Sequence, residues 1–217
     1  MLMMKQQPHL PKVEPKGIIA DLKVQIAALE AENATLKTLL GHATSDDALN
    51  VGRMAELLVK TLVGGTFTRY ASHADIKTPE GDRIQVKYSK VRTPNKDHPK
   101  SHTWNWSNIK AKEDEGRGYH FLVLLGKKDA DFPSQYMDTD APPYGQYVCF
   151  VIPLKEVGEL MSGGKNSGMV NTNTDREKVL SSHSKQYSKS KKLWGYMRKF
   201  EDLPVLIKDY KYTSASS

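Results

Sequence analysis

The chain has 217 residues, 38% of them hydrophobic and 26% charged, which suits one medium domain with an appendage and argues against both a multidomain machine and wholesale disorder. Lys and Arg number 32 against 25 Asp and Glu, and the resulting net charge of +7 and pI near 9.3 favour a polyanionic partner, nucleic acid first. No apolar run approaches the roughly 18 residues of a spanning helix, and Met1 to Met4 give way at once to Lys5 and Pro8, so no membrane partner is expected and the cytoplasm is the expected location.

Residues 1–16 carry three prolines and no periodicity, which predicts a disordered leader. Over residues 17–41 the apolar positions Ile19, Leu22, Ile26, Leu29, Leu36 and Leu40 follow a 4-3 alternation interrupted only by Asn33. Placing Ile19, Ile26, Asn33 and Leu40 at position a puts Leu22, Leu29 and Leu36 at d, the pattern of a parallel two-stranded coiled coil in which a lone Asn fixes register. A homodimer through residues 19–40 is the preferred expectation. The alternative is an amphipathic helix lying on the chain's own domain.

A domain over residues 45–212 follows. Ser45-Asp46-Asp47 caps a helix that runs to about Val63 and stops at Gly64-Gly65. Strands are expected at Thr66 to Tyr70, Ala74 to Lys77 and Ile84 to Tyr88, with Pro79 to Asp82 as a turn. A polar loop from Thr93 to Thr103 then leads to a helix from Ser107 to about Glu115. His98 and His102 sit in that loop without carboxylate or cysteine partners, so no zinc site is expected. Trp104 and Trp106 read most simply as core anchors at the helix entry.

Tyr119 to Leu125 and Tyr147 to Ile152 are apolar enough for strands buried on both faces, and a short helix is expected from Leu154 to Met161. Cys149, the single cysteine, belongs to the second of these runs and reads as a core residue. Residues 162–190 are rich in Ser, Asn, Thr and Lys, and Gly163 to Asn173 is expected to be a loop. A final apolar stretch covers Leu203 to Ile207, and 213–217 form an expected disordered tail. The fold class is α/β, a central mixed β-sheet flanked by helices, with the coiled-coil helix ahead of it.

Alternation carries the functional reading. In Ala74-Asp75-Ile76 and Ile84-Gln85-Val86-Lys87 the apolar residues take one face and leave Asp75, Gln85 and Lys87 on the other. If the two strands pair, a carboxylate, an amide oxygen and an ammonium converge. Mg²⁺, with Mn²⁺ as a substitute, takes such oxygen donors: Asp75, Gln85, a main-chain oxygen as at Val86, and Glu56 from the preceding helix through water. Lys87 then stands beside a metal-bound water or a phosphate oxygen. The bland alternative is the solvated face of a hairpin.

This order of residues resembles the PD-(D/E)XK nuclease superfamily, in a Gln-x-Lys variant, with Ala74 at the position of the name-giving proline. The resemblance implies a restriction-endonuclease-like core in which Glu56 is the helical acid, Asp75 the metal-binding aspartate and Lys87 the catalytic lysine, with Gln85 in place of the second acid. It further implies a Mg²⁺-dependent endonuclease acting on double-stranded DNA, most simply a dimer similar to a Type II restriction endonuclease. A junction resolvase-like nuclease and a non-catalytic dimeric DNA-binding protein are the rival readings.

The positive charge is concentrated. From Arg83 to Lys112 there are eight Lys and Arg and one acid, and from Lys178 to Lys199 seven and none. Lys90, Arg92, Lys96 and Lys100 in the first block, and Lys185, Lys189, Lys191, Lys192 and Arg198 in the second, are the expected phosphate contacts. Lys165, Asn166, Asn171 and Asn173, in an expected loop, have side chains of the types that read base edges.

Overall fold

The computed structural model describes residues 19, 22–27, 30, 48–68, 74–93, 101–111, 118–137, 144–164 and 167–214. The chain divides into two units, Met1–Thr44 and Ser45–Ser217. In the first, residues 19, 22–27 and 30 are helical, and Ile19, Leu22 and Ile26 are all half-exposed or more, at 53%, 50% and 53%. Leu29, Asn33, Leu36 and Leu40 lie outside the described residues, as do the expected leader and residues 215–217 of the expected tail.

The second unit opens with helix α1, Ala48–Val63. It ends where Gly64 takes φ 63 and Gly65 N donates to Lys60 O at 3.0 Å, a left-handed turn that a glycine adopts without a Cβ penalty. Strands β1 (Thr66–Phe67), β2 (Ile76–Lys77) and β3 (Arg83–Ser89) form an antiparallel meander, with Ile76 opposite Ile84. The turn between β2 and β3 closes through Thr78 N to Asp82 O at 2.8 Å.

Strand β3 pairs in parallel with β5 (Phe121–Lys127), β5 pairs antiparallel with β6 (Tyr147–Pro153), and β6 with β9 (Met197–Arg198). The result is a six-stranded mixed sheet in the order β1-β2-β3-β5-β6-β9. Strands β5 and β6 are buried on both faces, which explains their nearly unbroken apolar sequence. Cys149 sits inside β6, and burial pushes its thiol up to about 12.

On one face of this sheet Ala55, Leu58 and Val59 of α1, with Leu203 and Ile207 of the C-terminal helix α5 (Leu203–Ser214), cover Ile84, Val86, Val123 and Cys149. On the other face lies a three-stranded sheet, β4 (Thr103–Ile109), β8 (Ser167–Asn173) and β7 (Ser162–Gly164) in that order. Beside it pack α2 (Leu154–Leu160), α3 (Arg176–Ser181) and α4 (Ser188–Trp194). Among the described residues no helix is long and apolar enough to cross a membrane.

Three expectations are corrected. Residues 107–109 are strand, not the start of a helix. Trp104 and Trp106 alternate inward along β4, and their indole N–H groups donate to Lys127 O at 2.8 Å and Leu125 O at 2.9 Å. The Trp104 ring lies so close over β5 that a Cβ at Gly126 would stand 2.7 Å from it. The expected loop from Gly163 to Asn173 is strand at its described residues, which belong to β7 and β8. Val170 and Thr172 of β8 point into the core, and Asp175 caps α3 by accepting from Lys178 N at 3.0 Å. Helix α5 continues through Thr213 and Ser214, which were expected in the tail.

Candidate metal centre

The expected pairing of the two strands is present. Asp75 N donates to Ile84 O at 2.8 Å, and Thr68 N donates to Asp75 O at 3.0 Å, so Asp75 is held just ahead of β2. The paired register ends at Ile76 opposite Ile84, so Asp75 stands at the end of the ladder, and Gln85 follows Ile84 on β3. The Asp75 side chain turns onto the neighbouring strand, where Oδ2 accepts from Val86 N at 2.7 Å. Because β2 is only two residues long, this carboxylate stands in for the main-chain acceptor that a longer strand would supply to Val86.

Gln85 and Lys87 pair with Leu122 and Leu124 of the parallel strand β5, so they share that face of the sheet, while Ile84 and Val86 point to α1. It is the face on which the second sheet packs. The Asn105 N–H of β4 donates to Ser89 Oγ at 2.8 Å, so Gln85 and Lys87 lie near the corner where β4 adjoins β3. Gln85 is buried and Lys87 half-buried. Glu56, on α1, has a side chain only 23% exposed and is close enough to act on the Asp75 charge.

Burial raises the Asp75 pKa from 3.8 to about 6. The Val86 N–H opposes that rise, Glu56 adds to it by like-charge repulsion, and Lys87 and Arg53 oppose it. Glu56, Asp75, Val86 and Lys87 therefore belong to one electrostatic neighbourhood, with Gln85 next to Val86 on β3. The donors are all oxygens: the Asp75 carboxylate with Oδ1 not committed to Val86, the Glu56 carboxylate and the Gln85 amide. Such a set fits a hard divalent cation, which accepts oxygen ligands and keeps several waters.

Sequence reasoning missed Arg53 and Phe67. Arg53 Nη1 donates to Glu56 Oε2 at 2.6 Å, and its guanidinium carbon lies 3.9 Å from the centroid of the Phe67 ring. The i,i+3 spacing of Arg53 and Glu56 was readable as a helix pair, but the approach of β1 that supplies the ring was not.

The reading of His102 as lacking carboxylate partners is corrected. His102 Nδ1 lies 2.7 Å from Asp129 Oδ2 and 3.6 Å from Asp131 Oδ2. These three side chains are near enough to share a metal ion. Asp129 is already engaged, however: Oδ2 also accepts the Thr174 hydroxyl at 2.6 Å, and Oδ1 accepts Asp131 N at 3.1 Å. With Thr174 N bonded to His102 O at 3.1 Å, the cluster ties the start of β4, the end of β5 and the end of β8 together.

The residues assigned to a polyanion are dispersed. Lys90 and Arg92 are exposed just beyond the end of β3, and Asn171 and Lys185 are exposed. Lys96, Lys100, Lys165 and Asn166 lie outside the described residues. Lys191 is half-buried, Lys189 Nζ donates to Met161 O, and Lys192 pairs with Glu159. Arg198 Nη1 donates to Gly195 O at 2.9 Å and Met197 O at 2.7 Å. Asn173 is buried and shapes a turn, its Oδ1 accepting from Asp175 N at 2.8 Å. No protein-family model matches the chain, and no curated protein matches it.

Proposed function

We propose that the chain is a divalent-metal-dependent endonuclease that hydrolyses phosphodiester bonds in double-stranded DNA, with a restriction-endonuclease-like core. The observation that carries this reading is the Asp75 carboxylate, partly desolvated, fixed on the Val86 N–H, with Glu56 and Lys87 acting on its charge and Gln85 adjoining Val86 on β3. The antiparallel meander ahead of a parallel strand supports it. The helix expected at Ser107 to Glu115 does not, since 103–109 is strand.

In this reading Asp75, Gln85, Glu56 and the main-chain oxygen of Val86 hold Mg²⁺, or Mn²⁺ in its place. The bound ion supplies Lewis-acid polarisation of the phosphate and a water of lowered pKa. The chain's own residues do the rest. The Val86 N–H fixes the Asp75 carboxylate before substrate arrives, so that little reorganisation is needed. Lys87 offers its ammonium to the negative charge that grows on the phosphate oxygens, in partly desolvated surroundings that strengthen the interaction. Lys90 and Arg92 continue along the chain from Lys87 and hold the adjacent backbone. Asn171 and Lys185 are exposed and remain candidates for contacts to DNA.

A sequence-specific, Type II-like restriction endonuclease is the most specific form of the reading. Two copies paired through residues 19–40 would cut both strands of a twofold-symmetric site, one each. Incubation with plasmid and Mg²⁺, with EDTA as control and sequencing of the ends, tests it: discrete ends that require the metal are expected, and intact plasmid under all metals overturns it. Sedimentation of the Asn33→Leu variant tests the pairing, with a changed oligomeric state expected and an unaltered monomer contradicting it.

A further inference from the structure

Arg53 and Glu56 stand about one turn apart on α1, joined at 2.6 Å. A surface i,i+3 pair is ordinary on a helix. This one differs at both ends. Its acid lies close enough to Asp75 to repel it, and its base is stacked on Phe67, with the guanidinium carbon 3.9 Å from the ring centroid. Lys60, two turns along the same helix face, brings its ammonium to 5.3 Å from that ring. The Arg53 side chain is nonetheless 61% exposed, so it stands at the rim of the corner rather than in it.

Counting charge gives the consequence. Glu56 and Asp75 contribute two negative charges and Arg53 and Lys87 two positive ones, with the Lys60 ammonium beyond them at the Phe67 ring, so cations already face both carboxylates before any metal arrives. A divalent cation between the carboxylates adds two positive charges and contends with the guanidinium for Glu56. The displaced guanidinium keeps its hold on Phe67 through the ring's negative face, so it remains at the rim. There a planar, permanently charged fork is matched to a phosphate.

We propose that Arg53 is the resident counter-ion of the Glu56 and Asp75 carboxylates, which a divalent cation displaces from Glu56 and which Phe67 then holds at the rim as a phosphate contact. This rests on the reading of Asp75 and Glu56 as metal ligands, and it makes Arg53 a positioning residue that couples metal binding to substrate binding.

Calorimetric titration of the full-length chain with Mn²⁺ alone, in the wild type, Arg53→Gln, Arg53→Lys and Asp75→Asn, tests it. Arg53→Gln is expected to bind Mn²⁺ about fivefold tighter, equivalent to ~1 kcal/mol, with Arg53→Lys between it and the wild type. Its affinity for a short DNA duplex in the presence of Ca²⁺ is expected to fall about fivefold. Phe67→Leu is expected to weaken duplex binding while leaving Mn²⁺ affinity near that of the wild type. An ion pair that merely held α1 would lower the Tm of Arg53→Gln and leave Mn²⁺ affinity unmoved, which overturns the proposal. If Asp75→Asn binds Mn²⁺ as the wild type does, the metal site itself is wrong and Arg53 falls with it. If Asp75→Asn loses Mn²⁺ and Arg53→Gln matches the wild type, only the role of Arg53 is refuted.

Discussion

Two corners of the second unit each fix a largely desolvated aspartate by side-chain hydrogen bonds, and they differ in what is left over. At Asp129 both carboxylate oxygens are engaged, by His102, the Thr174 hydroxyl and the Asp131 N–H, and the bonds join three separate chain segments. At Asp75 one oxygen takes the Val86 N–H, and a second acid, Glu56, stands near enough to repel the charge. A carboxylate whose acceptor capacity is spent on the protein serves the fold. One held beside a like charge in a partly dry place has capacity for a cation, because nothing in the fold is gained by keeping the two acids together.

The largest effects that separate the corners are on activity. Asp75→Asn and Lys87→Ala are expected to lower Mg²⁺-dependent cleavage of duplex DNA by about 10³-fold or more while leaving far-UV circular dichroism and duplex binding in metal-free buffer largely intact. Full activity in either variant would remove the site. In Asp129→Ala the expected loss is of stability. It strips partners from the buried Thr174 hydroxyl and from His102, at a cost of about 2–4 kcal/mol in denaturant unfolding. Asp131→Ala, which removes an exposed carboxylate 3.6 Å from His102, is expected to cost about 0.5 kcal/mol or less. Should Asp131→Ala prove as damaging as Asp129→Ala, the cluster depends on more than the hydrogen bonds described.

The two corners also differ in how far the sequence revealed them. Asp75, Gln85 and Lys87 were readable because a strand's period of two forces alternate residues to one face, and the apolar Ile84 and Val86 marked the other. Strands β5 and β6 were readable because burial on both faces leaves only apolar residues possible. His102 and Asp129 are 27 positions apart and meet only because β4 crosses over β5, a non-local event without a periodic signature. Strand β4 itself was hidden. Its inward residues Trp104 and Trp106 give only one repeat of the alternation before Asn108 takes φ 56 and the register with β8 shifts between Trp106 and Ile109. Strands β7 and β8 were hidden by composition, because among Ser, Gly, Asn and Thr only Val170 marks an apolar inward face.

A smaller effect, on stability against pH, bears on Asp75 directly. Its pKa is raised in the fold, from 3.8 to about 6, chiefly by burial. Between those values the folded chain holds a proton there that the unfolded chain has released, so this group favours folding at low pH and its contribution is lost as pH rises through about 6. Asp75→Asn cannot titrate. In metal-free buffer the stability of Asp75→Asn relative to the wild type is therefore expected to increase as pH goes from about 4 to about 7, by on the order of 1–3 kcal/mol. Unfolding by urea at four or five pH values in that interval measures the difference, in which the other carboxylates cancel. A flat difference would mean that Asp75 is not held out of water at the cost of its charge. The tension that a cation would relieve, and that distinguishes Asp75 from Asp129, would then be absent.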